Sequence, residues 1–497
     1  MQLLDQLSLG FATALGAANL LAALLGCLLG TVVGVLPGIG PVAAIALLLP
    51  ATYALAPVSA LILLAGVYYG AQYAGSTPAI LLDLPGEPSS DVTRLDGHQM
   101  TLHGRAGPAL GAAALASFVA GCFATALLAL AAQPLTRLGY LFGPVEYAAL
   151  LVLALVGVVA LASGSLFKAL AMAVLGLLLG LVGNDPLSGA TRFAFDIPEL
   201  SEGIGFVALA IGIYAIGEVI ANMSKPQHQV ELLDVSLRGR WPGRQELAEI
   251  WPALLRGTLL GSLLGLMPGG GALLASFSAY ALEKRVAPRV GAAPFGKGNI
   301  RGVVAPESAN NAGAQMAFLP LLALGIPPNA VMALLLGALW LRGIAPGAQL
   351  IAGNPALFWG LVASMWIGNL LLLVLNLPLA GLWLRLVRVP YGLLAPLLVV
   401  LGALGAYLVH QRSFEVWLVA GFGALGYVFV LLRTDPAPLL LGCILAPALE
   451  DNLRRSLAGS GGKWSVFVTQ PVAAGLLGAA ALVLLVLLFK PRRATMA

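Results

Sequence analysis

Hydrophobic residues run along this chain in long unbroken tracts. They do not show the alternation of a half-buried strand or the single apolar stripe of a soluble helix. Residues 6–82 contain no Asp, Glu, Lys, Arg or His, and within residues 308–384 the only charge is Arg342. Further charge-free runs cover residues 106–136, 147–167, 257–282, 389–409, 416–432 and 471–489. A hydrocarbon layer about 30 Å thick takes roughly 20 apolar residues per helix, so the longest tracts hold several passages each. The pattern predicts an all-α polytopic membrane protein with roughly 11 to 13 membrane segments, some of them re-entrant or broken. Spanning strands would alternate apolar and polar residues over about ten positions, and these runs do not.

The polar positions divide the tracts. The longest polar interval, residues 224–255, carries Lys225, Arg238, Arg240 and Arg244 beside Glu231, Asp234, Glu246 and Glu249. It reads as a cytoplasmic linker between a first half, residues 1–223, and a second half, residues 256–497. The two halves share a pattern. G-V-L-P-G-I-G at residues 34–40 answers G-L-M-P-G-G-G at residues 265–271, an offset of 231. D-L-P-G-E at residues 83–87 answers G-I-P-P-N at residues 325–329, an offset of 242, and each follows a polar cluster about ten residues upstream. Those clusters are Gly75, Ser76 and Thr77 in the first half and Asn310, Asn311 and Gly313 in the second. Corresponding Gly/Pro-interrupted segments in two halves point to a transporter's binding site.

Residues 257–282 lie between basic loops on both sides, Arg244 and Arg256 before and Lys284, Arg285, Arg289, Lys297 and Arg301 after. A single crossing would put one of these loops outside, against the positive-inside bias. A turn at residues 268–271 would instead make a re-entrant hairpin with legs of 11 residues, each about 16 Å long. One long helix unwound at the same glycines is the alternative.

Composition narrows the class. Only 9% of the 497 residues are charged and 60% are hydrophobic, against roughly 25% charged in a soluble domain. The net charge of +5 comes from Lys and Arg in loops and at the C-terminus, with no basic face to track phosphates, so no nucleic-acid partner is expected. The first residues lack a basic n-region, so the first helix is expected to direct insertion. Cys27, Cys122 and Cys443 stand alone in apolar runs and read as small core residues, with no metal spacing among them.

Candidate chemistry clusters at the breaks. Proline removes a backbone donor and glycine relaxes φ, so Pro37, Gly38, Gly40, Pro85, Gly86, Pro268, Gly269, Gly270, Gly271 and Pro327 free amides and carbonyls that lipid cannot satisfy. Helix N-termini facing such a break suit a carboxylate, and freed carbonyls suit a small cation. Ser76, Thr77, Asn310, Asn311 and Gln315 are uncharged donors beside them, and Tyr68, Tyr69 and Tyr73 approach Ser76 at near-helical spacing. Interhelical hydrogen bonding and packing are the competing roles. Asp83, Glu87 and Glu307 are the candidates for a coupling ion; the water interface or a helix cap is the alternative. Arg342 reads as a snorkelling helix-end cation or a partner of substrate. No H-E-x-x-H, G-x-S-x-G or Walker loop is present, so an enzyme is not expected. Rings of like charge that would mark a channel are also missing.

The motifs G-V-L-P-G-I-G-P (34–41), Y-Y-G-A-Q-Y-A-G-S-T (68–77), L-P-G-E (84–87), L-D-G-H (95–98), F-G-P-V-E-Y (142–147), A-P-E-S-A-N-N-A (305–312) and E-D-N-L-R-R-S (450–456) extend over nearly the whole chain. In them the sequence resembles the large membrane subunit of the tripartite tricarboxylate transporters. The resemblance implies a multi-pass subunit of the bacterial inner membrane that takes up small carboxylates by symport with sodium ions or protons. Citrate-like di- and tricarboxylates or aromatic acids would be the substrates. Its partners would be a small four-helix membrane subunit and a periplasmic solute-binding protein. It also implies inverted repeats and elevator-like movement, with Gly75, Ser76, Thr77, Asn310, Asn311 and Gly313 binding substrate and no cofactor beyond the coupling ion. A stand-alone carboxylate or anion transporter, or a channel, is the alternative. Two positions depart from the family pattern: Pro78 after Thr77, and Pro328 after Pro327.

Overall fold

The computed structural model describes residues 2–36, 38–140, 142–162, 164–185, 188–224, 241–269, 271–287 and 293–489. Pro37 and Gly270 lie outside these residues, as does half of the polar interval between the halves, residues 225–240. The described chain is almost entirely helical, with one short antiparallel pair of strands, Gly183–Asn184 with Thr191–Arg192. Ten described helices are long and apolar enough to cross a membrane, and three shorter apolar helices accompany them. The protein is an all-α polytopic membrane protein.

The first half contributes α1 (Ala17–Val35), α2 (Pro41–Thr52), α3 (Pro57–Ala74), α4 (Ser76–Leu82), α5 (Arg94–Leu102) and α6 (Ala106–Tyr140). The second contributes α7 (Arg244–Gly265), α8 (Gly271–Val286), α9 (Arg301–Met316), α10 (Phe318–Leu324), α11 (Ala330–Trp340) and α12 (Pro355–Asn376). Helix α7 therefore starts inside the polar interval, its first turn capped by Glu246 on the Gly243 amide at 2.8 Å.

Small residues set the closest helix pairs. Gly26, Gly30 and Gly34 form one stripe of α1 at a spacing of four, and a Cβ on any of them would meet the backbone of Leu63, Val67 or Ala71 on α3. Gly257, Gly261 and Gly265 do the same on α7 against Ala305, Ala309 and Gly313 of α9. Both members of the second pair stand at the offsets read from the sequence, 231 for the glycine stripe and 242 for its partner. Packing between membrane helices gains from such close backbone approach because lipid removes any hydrophobic drive to associate.

The helix breaks follow the same register. Pro78 and Pro320 occupy equivalent positions, and neither can bond the carbonyl four residues back, so α3 gives way to α4 and α9 to α10 just before them. Both short helices then end in a left-handed residue, Asp83 (φ 58°) and Gly325 (φ 72°). Leu84 N–H donates to the Pro78 carbonyl at 3.3 Å and Ile326 N–H to the Pro320 carbonyl at 3.1 Å. Pro78, a departure from the family pattern, is thus the first half's copy of Pro320.

The two Pro-Gly breaks differ. Helices α7 and α8 double back on each other, and Arg256 on α7 makes a two-pronged ion pair with Glu283 on α8, at 2.9 and 2.7 Å. Those residues lie 13 and 14 positions from Gly269 (φ +81°), so the chain folds back there as a hairpin that brings its two legs side by side. Helix α2, by contrast, leaves α1 at a corner and packs on α3, α11 and the Tyr391–His410 helix. The hairpin gives a direct test. Single cysteines at Gly243 and Ala287, in a background without the native three, are expected to react with an impermeant maleimide from the same side of the membrane; opposite accessibility would exclude the hairpin.

Burial sorts the remaining helices. The Pro57–Leu82 span is 94% buried, whereas the Pro471–Phe489 span is 11% buried. The broken helix of the first half therefore lies at the protein's centre, and the Pro471–Phe489 helix presents its apolar surface outward.

Candidate functional site

The two units meet where α3 and α9 approach each other. Asn310 Nδ2 donates to the Gln72 carbonyl at 3.4 Å, Asn329 Nδ2 lies 3.4 Å from the Tyr68 hydroxyl, and the Tyr68 and Phe318 rings stack at a tilt, 6.1 Å apart. Around this crossing the chain buries an unusual number of polar groups. Gln72, Ser76, Thr77, Glu87, Ser89, Ser90, Thr93, Ser117, Glu307, Asn310, Asn311 and Gln315 are all at most 5% exposed.

One set is fully bonded. Glu307 accepts from Thr93 at 2.7 Å and from Ser117 at 3.5 Å, and Asn311 Nδ2 donates to Ser117 Oγ at 2.8 Å and to the Glu307 carbonyl at 3.0 Å. Thr93 and Ser117, supplied by the first half, thereby fix a carboxyl and an amide from the second. The other set surrounds the α3–α4 break. A Cβ on Gly75 would touch Glu87 and Ser90, both about 3.1 Å away, and Gly86 N–H donates to the Gly75 carbonyl at 3.3 Å. Ser89 Oγ donates to Gln72 Oε1 at 2.7 Å, and Ser276 on α8 donates to the Ser89 carbonyl at 2.6 Å. Glu87 Oε1, Ser90 Oγ, Asn310 Oδ1 and Gln315 Oε1 are buried without a hydrogen-bond partner.

No Lys, Arg or His pairs with Glu87 or Glu307 among the described residues. A buried carboxylate without a counter-charge is costly, so each must hold a proton or a cation to stay there. Asp83 is placed differently. Its side chain is half-exposed and pairs with Arg94 at 3.1 Å, which satisfies it at the surface and separates it from the two buried carboxyls. Among the described residues no group of three or more His, Cys, Asp or Glu could hold a metal ion. Single carboxylates among neutral oxygens are what these sites offer.

Ser76 and Thr77 line a narrow crevice with only about 10 Å³ of free space, together with Tyr73, Ala114 and Asn376. Ser76 Oγ donates to the Tyr73 carbonyl at 3.1 Å, and the Tyr73 hydroxyl to the Ala114 carbonyl at 2.8 Å. Ordinary ligand sites enclose roughly 300–1,000 Å³, so this crevice is closed in the present conformation. A roomier cavity, about 490 Å³, lies elsewhere, beside Arg192, Glu450 and Arg454. Its arginines are already paired with Glu450 and Asp185, which leaves no free cation among its described lining residues for an anionic ligand, and none of the residues of the polar breaks lines it.

The family described as "Tripartite tricarboxylate transporter TctA family" matches residues 20–441, the greater part of the chain. The chain belongs to the TctA family. It is 51% identical over 477 residues to an uncharacterised 52.8 kDa protein of the TAR-I ttuC' 3' region of Agrobacterium vitis, covering 96% of this chain and 94% of that one. An uncharacterised protein of the TAR-II ttuC' 3' region of the same organism is 53% identical over 218 residues, 44% of this chain and 89% of its own. No solved structure matches. Membership makes the chain a membrane subunit of a tripartite transporter rather than an enzyme.

In this TctA-family protein Asn310 reaches the Gln72 carbonyl, one turn before Ser76, but the two polar clusters do not occupy equivalent places. At the offset of 242, Asn310 and Asn311 correspond to Tyr68 and Tyr69, and Ser76 and Thr77 correspond to Phe318 and Leu319. Each half thus puts its polar side chains at a different height of the same broken helix. Gly313 serves packing, since its backbone lies where a Cβ on Gly265 would have to sit. Gly38 (φ +91°) turns its carbonyl to the Asn222 amide at 2.8 Å, and Gly40 caps α2 with open space around it. At the second break Gly269 N–H donates to the Pro328 carbonyl at 2.5 Å, while Gly271 and Asn329 are neighbours. The hairpin tip therefore rests on the Pro327–Asn329 turn, and Pro268 packs on Gly157. Arg342 binds the Thr52 and Leu55 carbonyls, tying the end of α11 to the end of α2.

Sequence reading missed Thr93, Ser117 and Asn376. Asn376 donates to the Leu372 carbonyl at 3.0 Å and leaves its Oδ1 without a partner beside the Ser76–Thr77 crevice. Nothing local marks these residues; only the packing of α5, α6 and α12 brings them to the breaks.

Proposed function

We propose that this chain is the inner-membrane subunit through which a cation gradient drives uptake of small carboxylates, citrate-like di- and tricarboxylates or aromatic acids. A periplasmic binding protein delivers the substrate, and a small four-helix membrane subunit completes the complex. The observation that carries the reading is the burial of two carboxyls without basic partners between two copies of a broken helix. A carboxylate substrate entering so apolar a centre adds negative charge, and co-binding a sodium ion or proton offsets it. Thr77 and, on leaving the Tyr73 carbonyl, Ser76 supply hydrogen-bond donors for the acid at the α3–α4 break, while Asn311, whose two amide hydrogens go to Ser117 and the Glu307 carbonyl, holds the neighbouring carboxyl in place. The two units are read as inverted repeats, and an elevator-like movement of the closed crevice between the membrane faces completes the transport step.

The experiment is uptake of labelled citrate into proteoliposomes holding this chain and the small subunit, with binding protein outside. Uptake is expected to fall to the passive level when the sodium and proton gradients are collapsed, and unchanged uptake excludes coupling. Thr77→Val is expected to raise KM about fivefold, the effect of one hydrogen bond worth about 1 kcal/mol. An unaltered KM in both Thr77→Val and Ser76→Ala would exclude the crevice as the substrate site.

A further inference from the structure

The register between the two halves exposes an asymmetry in their polar contacts. The Tyr68 hydroxyl of the first half and the Asn329 amide of the second are hydrogen-bonded across the crossing of the units. The equivalent residues at the offset of 242 are Asn310 for Tyr68 and Glu87 for Asn329. There the bonded pair of donor and acceptor is replaced by two oxygens without partners, Asn310 Oδ1 and Glu87 Oε1. Asn310 is fully buried and Glu87 is 4% exposed. A third orphan, Ser90 Oγ, adjoins Gly75 at the same distance as Glu87 and is also fully buried.

Gln72 ties these groups into one place. Its carbonyl accepts from Asn310 Nδ2, and its side chain accepts from Ser89, which lies between Glu87 and Ser90 in the chain. A fourth oxygen is at hand, because Pro78 has no N–H to give the Ala74 carbonyl immediately before Gly75. Because the Asn310 amide nitrogen is committed to a carbonyl acceptor, its Oδ1 is the free end. Buried oxygens gathered around one break without hydrogen-bond partners are costly, and a small hard cation is what an oxygen set of this kind accommodates.

We propose that Glu87, Ser90 and Asn310, at the Gly75 break, form a sodium-binding site. A single ligating carboxylate, with Glu218 near enough to add to the negative field at Glu87, matches a monovalent charge, whereas calcium-type sites gather several carboxylates as ligands. The assignment rests on the carboxylate-uptake reading only in making this ion the coupling ion; the site itself follows from the orphaned oxygens. It moves Asn310 from substrate contact to ion ligand, and leaves Glu307, already bonded to Thr93 and Ser117, to position Asn311.

The test is sodium binding by the purified full-length protein in detergent, followed by thermal melting at constant ionic strength with choline or potassium as replacement, and by equilibrium binding of radiolabelled sodium. The wild-type melting temperature is expected to rise with sodium and not with potassium, as for any ligand of the folded state. Glu87→Gln is expected to raise the half-saturating sodium concentration at least about tenfold, and Ser90→Ala and Asn310→Ala each about three- to fivefold. Asp91→Asn, a surface acid paired with Arg94, is expected to leave it unchanged. A wild-type protein indifferent to sodium, or one stabilised by protons alone, overturns the proposal, as does Glu87→Gln with wild-type sodium dependence. If Glu87→Gln does not fold, Ser90→Ala decides by the same measure. Sodium binding without carboxylate uptake would preserve this site and sink the proposed function; gradient-driven uptake without sodium binding would do the reverse.

Discussion

Gly86→Ala is expected to prevent accumulation of a stably folded protein. A Cβ at this position would run into the Gly34 carbonyl oxygen and come within 2.9 Å of the Gly75 Cα. Both obstacles are backbone, held by the α1–α3 contact and by the bond from Gly86 N–H to the Gly75 carbonyl, so no side chain can rotate away. Overpacking a tight core commonly costs about 1–3 kcal/mol, and a clash with backbone on two sides belongs at or above the top of that range. Gly475→Ala, at a helical position with open space around it, is the comparison and is expected to change little. Thermal melting of both variants in detergent checks this. A Gly86→Ala protein that melts within 2 °C of wild type, a threshold set by the few degrees expected per kcal/mol, would show that the break is looser than its geometry.

Asp96→Ala is expected to release the segment leading into α9. Asp96 Oδ1 accepts from the amides of Gly296, Gly298 and Asn299 at 2.8, 3.0 and 2.8 Å, and Oδ2 accepts from the Tyr280 hydroxyl at 2.9 Å. Asp96 is fully buried, and Gly302 has no room for a side chain because Asp96 fills that space. Removing the carboxylate strands four donors, each worth about 1–3 kcal/mol if it stays buried and unpaired, so a loss of about 3–5 kcal/mol after relaxation is expected. Asp96→Asn keeps an oxygen for the three amides and is expected to cost about 1–2 kcal/mol. Hydrogen exchange over residues 293–302 should rise sharply in the alanine variant and slightly in the asparagine variant. Equal exchange in the two would mean that the amides are held by something other than this side chain.

The contrast between these positions and the polar clusters explains what was readable beforehand. Gly26, Gly30 and Gly34 could be matched to Gly257, Gly261 and Gly265 because a close helix contact requires small residues at a fixed spacing, and spacing is a property of sequence. Pro78 and Pro320 mark their breaks for the same reason, since a missing N–H acts on the carbonyl four residues back. The site was legible only in part. Glu87, Glu307, Asn310 and Asn311 stand out as polar groups in apolar surroundings. Their partners Thr93, Ser117 and Asn376 are ordinary residues until helices far apart in sequence bring them together. The apparent match of Ser76–Thr77 with Asn310–Asn311 failed because both lie upstream of a Pro turn, a coincidence of spacing that the offset of 242 resolves in favour of Tyr68–Tyr69.

The sequence by itself determined that this chain lives in a membrane, that its spans are helices, that two halves repeat a Pro-Gly break, and that it belongs among the tripartite carboxylate transporters' large subunits. Those features arise from hydropathy, from backbone chemistry acting within a few residues, and from motifs. The tertiary structure decided that one break is a hairpin and the other a corner, that Asp83 is a surface partner of Arg94 while Glu87 and Glu307 are buried, and which oxygens are left without donors. Such outcomes depend on which helix faces which. Close packing between segments more than 200 residues apart settles that, and no local pattern encodes it.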